Sequence, residues 1–278
     1  MDFGRHFKAA RRAALKAGRM LRENMDVTRE VSFKGVVDVV TNFDKRSQRM
    51  IIDDLSRRFP GHDFLAEEGL DRDKGSDFRW LIDPIDGTTN FVHRFPFFCV
   101  SVALEYGDEI VLGVVFDPIA GELFTAVKGR GAFLNRRTIR VSAVDNLDSS
   151  LISTGFPYDV RESRDNNIDH FTHFLTRVQA VRRCGSAALD LCYVACGRFD
   201  GFWEMKLNPW DVAAAALILT EAGGRLTDFQ GGKHSVYGRE TLGSNGLIHN
   251  EMLEVLQLAV TTRAAGNNGP GQACGGSS

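Results

Sequence analysis

Trp80-Leu81-Ile82-Asp83-Pro84-Ile85-Asp86-Gly87-Thr88-Thr89-Asn90-Phe91 is the stretch from which the rest of the chain can be read. Trp80, Leu81 and Ile82 form an apolar, β-prone run that ends in a carboxylate. Pro84 fixes its own φ, has no N–H to donate, and biases Asp83 towards extended backbone. The chain is therefore expected to leave the strand at Asp83. Gly87 lets the backbone approach a ligand closely, and Thr88 and Thr89 are expected to cap a helix that opens there. Two carboxylates and a row of free N–H groups would then face one point. Carboxylates gathered this way repel unless a divalent metal turns them into ligands, and a helix start beside them favours phosphate. Asp-Pro and Asp-Gly pairs are also ordinary turn chemistry, so this stretch alone leaves a plain surface turn open.

Upstream, Phe3, Phe7, Ala10, Ala14, Ala17 and Leu21 recur at helical spacing, with Arg5, Lys8, Arg11, Arg12, Lys16, Arg19 and Arg22 on the other face. That basic face reads as solvated, with RNA or membrane contact as the minority alternative. Residues 31–41 read as strand, turn and strand around Lys34-Gly35. Asp44 is expected to cap a helix running to Phe59, buried through Met50, Ile51 and Leu55 and stopped by Pro60-Gly61. Phe64-Leu65-Ala66 is then a short strand that delivers Glu67-Glu68, a second apolar run ending in acids.

Downstream, residues 97–105 and 109–117 read as a hairpin across Gly107-Asp108, and 122–127, 132–141 and 151–155 as further short strands. Ile168, Phe171, Leu175 and Val178 mark a helix. On it His170 and His173 have a metal-like spacing but no intervening Glu, and they read as helix-surface residues. Ala187 to Cys196 reads as a buried helix entered through Gly185-Ser186. Asp211 opens an Ala-rich helix that Gly223-Gly224 should stop, and an acid there is often only a cap. A last helix is expected over roughly 250–260.

The chain has 278 residues, 43% hydrophobic and 25% charged, with a formal net charge of −2. These are globular values, and the charge argues against a protein built to bind nucleic acid through bulk positive charge. Five cysteines, an odd number without C-x-x-C spacing, favour reduced thiols and a cytoplasmic location. No run has the length of a membrane span, and the N-terminus lacks the apolar core of a secretion signal.

Set together, Glu67-Glu68, Asp83-Pro84-Ile85-Asp86-Gly87-Thr88-Thr89-Asn90-Phe91, Trp210-Asp211-Val212-Ala213-Ala214 and Glu221-Ala222-Gly223-Gly224 resemble the inositol monophosphatase family of metal-dependent, lithium-sensitive phosphatases. The resemblance runs in consistent order over about residues 5 to 260. Ala187-Ala188-Leu189-Asp190-Leu191 and Asp200-Gly201-Phe202-Trp203-Glu204 are most similar to the bacterial branch. It implies an α/β, five-layer αβαβα sandwich over residues 1–262, with 263–278, rich in Gly, Asn and Ser, as a disordered tail.

The resemblance also implies a phosphomonoesterase that cleaves myo-inositol monophosphate with two to three Mg²⁺ ions, working as a homodimer without a membrane. Glu67, Asp83 and the Ile85 carbonyl would bind the first ion, and Asp83, Asp86 and Asp211 the second. Thr88, oriented by Asp44, and Glu67 would position the attacking water. Gly87 and Thr88 would hold the phosphate. Gly185, Ser186, Ala187, Glu204 and Asp211 would meet the alcohol, and Lys34 would close the site from a loop one residue shorter than in some relatives. Fructose-1,6-bisphosphate, NADP, histidinol phosphate and nucleotide 3′-phosphates stay open as substrates. A non-catalytic role linked to RNA or transcription also stays open.

Overall fold

A computed structural model of the chain describes residues 2–27, 31–33 and 39–266. The elements run α1 (Gly4–Glu23), β1 (Val31–Phe33), β2 (Val39–Thr41), α2 (Asn42–Arg58), β3 (Asp63–Ala66), β4 (Leu70–Arg72), β5 (Phe78–Asp86), α3 (Thr88–Val92) and β6 (Cys99–Tyr106). They continue with β7 (Glu109–Asp117), β8 (Glu122–Val127), β9 (Ala132–Leu134), β10 (Arg137–Thr138), β11 (Leu151–Thr154), α4 (Ile168–Leu175) and β12 (Ala180–Arg182). The last are α5 (Ala187–Ala195), β13 (Gly201–Met205), α6 (Pro209–Glu221), β14 (Arg225–Thr227), β15 (Glu240–Ser244) and α7 (His249–Gly266).

Two mixed sheets carry the architecture. The larger has eight strands in the order β10-β9-β8-β7-β6-β5-β3-β4, antiparallel except where β3 runs parallel to β5. The smaller has five, β12-β11-β13-β15-β14, with β11 parallel to both of its neighbours. α1 and α2 cover the outer face of the large sheet; Ala10, Ala14, Ala17 and Leu21 pack on Val102, Val114 and Phe116 in one core. α5 and α6 fill the space between the sheets, and α4 and α7 close the far side around Trp203, Phe174 and Met252. The expected αβαβα sandwich is what the chain forms.

The middle layer explains the Ala-rich run. Val212 to Leu219 of α6 are all buried, so the helix has no solvent face and needs small side chains to lie between two sheets. On β7, Gly113 faces it, and a Cβ there would collide with the Ala214 carbonyl oxygen. Strand and helix backbone are in direct contact at that point.

Several elements differ from the sequence expectation. β5 does not stop at Asp83; it continues to Asp86, with a register irregularity against β6 between the two acids. Pro84 costs that stretch one ladder donor, and the irregularity absorbs the loss. Thr41, not Asp44, is the N-cap of α2. Asp44 lies in its first turn, where its Oδ2 accepts the Thr41 N–H at 2.7 Å and closes a capping box. The N-cap of α3 is Gly87, in left-handed conformation at φ +96°, and neither Thr88 nor Thr89 caps it. The last helix starts one residue earlier and runs to Gly266, longer than expected. His170 is buried against the Phe229 ring, not on the surface, while His173 is partly exposed. The Lys34 loop and the tail beyond residue 266 lie outside the described residues. No helix among the described residues is long and apolar enough to cross a membrane, and Cys99, Cys184, Cys192 and Cys196 are free thiols.

Candidate active site

Four acids from two elements and one connection meet in a cavity of about 250 Å³. Glu67 follows β3 and is tied to β5 through its N–H on the Ile82 carbonyl, 3.2 Å. Asp83 and Asp86 come from the end of β5, and Asp211 from the first turn of α6. The Asp211 carboxylate keeps its helix role as well, accepting the Asn208 N–H at 2.7 Å. Asn208 is the N-cap, and its capping-box partner and the site residue are therefore the same side chain.

α2 acts as the clamp behind the acids. Ser47 donates its hydroxyl to the Pro84 carbonyl at 2.9 Å, and Gln48 receives the Glu68 N–H at 2.9 Å. Asp44, fully buried, takes the Thr41 N–H and hydroxyl on Oδ2, leaving Oδ1 for Thr88. The Thr88 hydroxyl stands 2.9 Å from both Asp44 Oδ1 and the Ile85 carbonyl, either of which can take its single proton. Asp83 Oδ1 accepts the Ile85 N–H at 2.9 Å. Asp86 Oδ2 accepts the Ser186 hydroxyl at 2.6 Å and the Ala188 N–H at 2.8 Å, so β5 is locked to the start of α5.

The electrostatics follow from this crowding. Burial, then the Glu67, Asp86 and Asp211 charges, pushes Asp83 well above the usual carboxylate range. Burial and Asp86 do the same to Asp211. Asp86 rises to about 6, because burial outweighs the hydrogen bonds from Ser186 and the α5 backbone. Asp86 and Asp211 keep some surface open to the cavity, but the concave wall still removes most of their hydration. Among the described residues, no Lys, Arg or His forms an ion pair with Asp83, Asp86 or Asp211. An acid cluster of this kind has a standing demand for a cation.

The donor set is carboxylate and carbonyl oxygen throughout, which suits Mg²⁺ better than a softer metal. Among the described residues, no three acidic, histidine or cysteine side chains already close round one point. The acids line an open wall, and an ion that retains several waters fits a wall better than a cage.

The opposite wall carries Thr154, Gly155, Phe156, Arg183, Gly185, Ser186, Ala187, Asp190 and Glu204. Burial and the nearby Asp86 raise Glu204 to about 8. Of the residues singled out from sequence, Glu67, Asp83, Ile85, Asp86, Gly87, Thr88, Gly185, Ser186, Ala187, Glu204 and Asp211 line one cavity, and Asp44 stands behind it. Lys34 lies outside the described residues. Asp190 and the Thr154-Gly155-Phe156-Pro157-Tyr158 segment were not singled out as site residues. Asp190 had a signal, since it is an acid inside an otherwise apolar helix; the segment's Gly and Pro read as a simple strand end.

On the outer face of the molecule, Lys8, Arg11, Lys16, Arg19 and Arg46 line a groove between α1 and α2, while Arg12 pairs with Asp54.

The chain is similar to known proteins in sequence and in fold. The profile of the Inositol monophosphatase family matches residues 5–263. An inositol-1-monophosphatase of Rhizobium meliloti is 43% identical over 255 residues, spanning 90% of this chain and 96% of that protein. The Nus factor SuhB of Salmonella typhimurium is 42% identical, over 87% of this chain and 92% of its own length. The solved inositol monophosphatase of Anabaena (Nostoc) sp. PCC 7120 superposes with a TM-score of 0.85 at 40% identity, covering 93% of this chain and 97% of that one.

Proposed function

The chain belongs to the inositol monophosphatase family and is a phosphoric monoester hydrolase, and we propose that its acid-lined cavity hydrolyses inositol monophosphate with Mg²⁺ as the cofactor. The observation that carries this reading is the meeting of Glu67, Asp83, Asp86 and Asp211 in the cavity that also holds Thr88 and Glu204. Glu67, Asp83, Asp86, Asp211 and the Ile85 carbonyl would hold two ions, with Glu67 sharing a third. Bound there, the ions supply charge neutralisation for the phosphate and a more acidic water.

The protein's own part is orientation. Thr88, held by Asp44 and lining the cavity, aligns a water for in-line attack on phosphorus. Glu67 stands on the other side of that water. The Ile85 carbonyl has two lone pairs, so its contact with Thr88 leaves one for a cation. Ser186 holds Asp86 at one angle and keeps its second oxygen for the metal side. Glu204, Gly185 and Ala187 meet the leaving alcohol. The Glu204 carboxyl exchanges hydrogen bonds with ring hydroxyls, and its ionised fraction, which grows as pH rises towards about 8, repels a second phosphate, so polyol monophosphates should outrun fructose-1,6-bisphosphate, NADP, histidinol phosphate and nucleotide 3′-phosphates. Lithium inhibition, a homodimer and a cytoplasmic location belong to the same reading.

Phosphate release from this substrate panel, with Mg²⁺ and then with EDTA, tests the proposal. Release from inositol monophosphate that survives EDTA would defeat the metal assignment, and a faster bisphosphate would defeat the substrate assignment. Lithium should inhibit uncompetitively with substrate. The basic groove of α1 supports a second reading, an RNA-directed role for that face. Retention of labelled RNA that weakens steeply with salt would support it, and no retention at low salt would remove it.

A further inference from the structure

Gly155 lies just past β11, and Glu204 lies on the neighbouring strand β13, where Thr154 is registered opposite Trp203. A Cβ on Gly155 would collide with both carboxylate oxygens of Glu204. The carboxylate thus rests directly on the Gly155 backbone. Gly155 is fixed in turn by Asn167, a fully buried residue at the start of α4. The Asn167 amide nitrogen donates to the Gly155 carbonyl at 2.6 Å and to Thr154 Oγ1 at 2.9 Å. Its Oδ1 accepts the Trp203 indole N–H at 2.8 Å. Thr154 closes the ring by donating its hydroxyl to the Trp203 carbonyl at 2.6 Å.

Both amide protons and the amide oxygen of Asn167 are in use. A flipped amide would set donor against donor at Trp203 and acceptor against acceptor at Gly155, so one orientation is enforced. Asn167 also holds a left-handed backbone conformation, φ +70°, which Asn tolerates better than most residues. A buried polar network with every member satisfied fixes a single geometry. Here that geometry is the height of the Glu204 carboxylate in the cavity.

We propose that Asn167 is a positioning residue and Gly155 a specificity-determining one, together holding the Glu204 carboxyl where it reads a ring hydroxyl of the alcohol. The proposal rests on the reading that Glu204 faces the alcohol. Gly155→Ala leaves the hydrogen-bond ring intact and displaces only the flexible end of Glu204. Asn167→Ala frees the Gly155 carbonyl and the Trp203 indole.

The test compares kcat/KM for inositol monophosphate with that for p-nitrophenyl phosphate, which has no ring hydroxyls. Gly155→Ala, Asn167→Ala, Glu204→Ala and the two double variants with Glu204→Ala are assayed in saturating Mg²⁺. Each single variant should lower the ratio about tenfold, the order of one lost substrate hydrogen bond, chiefly through KM for the inositol ester. In the Glu204→Ala background, Gly155→Ala and Asn167→Ala should lower the ratio no further, because the group they position is gone. Full additivity in the double variants overturns the proposal while leaving Glu204 its role. A ratio unchanged by Glu204→Ala overturns the underlying reading of the alcohol wall. Should Asn167→Ala fail to fold by circular dichroism, the Gly155 cycle decides alone.

Discussion

On the acid wall of the cavity, Asp83 and Asp86 sit three residues apart on one strand, and Asp44, Ser47 and Gln48 brace that region from one helix. On the opposite wall, Gly155 and Glu204, with Asn167 buried behind them, come from three separate segments and meet because β11 and β13 are neighbours. The acid wall concentrates the carboxylates of Asp83, Asp86 and Asp211, none of which is in an ion pair among the described residues. The other is a neutral hydrogen-bond ring with one carboxyl laid on top. Damage to the first should therefore stop chemistry, and damage to the second should blur recognition.

Asp86→Asn should make that contrast sharpest. It removes the charge of a proposed ligand yet can still accept from Ser186, so turnover should fall by several hundredfold, beyond the 10–100-fold usual for an outer partner of a metal ligand. Steady-state phosphate release at saturating substrate measures it, and a loss under tenfold would take Asp86 out of the metal set. Cation binding comes next. Mg²⁺ at one hundred times its Kd should stabilise the fold by about 2.7 kcal/mol. Melting with EDTA and with Mg²⁺ reads this directly, and equal midpoints would count against the shared acid site.

Thr88→Ala should cost about tenfold in kcat with metal affinity retained, because it disturbs the alignment of the water and leaves the acids in place. Full activity would send the attacking water by another route. The smallest effect lies away from both walls. His249 is fully buried, with Nδ1 2.8 Å from Ser244 Oγ and Nε2 3.0 Å from Thr227 Oγ1. Thr227 gives its own proton to the Asp228 carbonyl, so Nε2–H donates to Thr227 and Nδ1 accepts from Ser244. Burial lowers this imidazole from 6.5 to about 4. The unfolded chain takes up the proton first, so the contribution to stability is complete above about pH 6.5, declines as pH falls, and is gone by about pH 4. His249→Gln should flatten part of that acid limb in melts followed against pH, and a limb as steep as before would mean the acids dominate it.

Sequence reading reached the acid wall because its signals are local. An apolar run that ends in an acid, repeated at Ala66-Glu67 and Ile82-Asp83, is visible in a few residues, and the Asp211 helix announces itself by its alanines. Reading Pro84 as the end of a strand failed because β5 tolerates it through a register irregularity that only the paired strand β6 supplies. Read from its own stretch, Thr88 looks like a cap; its partner Asp44 is 44 residues away and entered only through the family resemblance. The second wall had no local signature. Nothing near Gly155 says that a side chain 49 positions later needs its missing methyl. His170 was likewise placed outside because an imidazole does not mark an apolar stripe, although Phe229 packs over it.

The contact of Gly113 with the Ala214 carbonyl sets a dimension. Asp211 is carried by the middle layer and Asp83 and Asp86 by the sheet, so the span between these carboxylates depends on how closely helix and sheet pack. Loops around the cavity can lengthen or shorten without altering that span. A single methyl at position 113 would act like a shim in a vice, widening the jaw between the acids while every carboxylate stayed chemically intact.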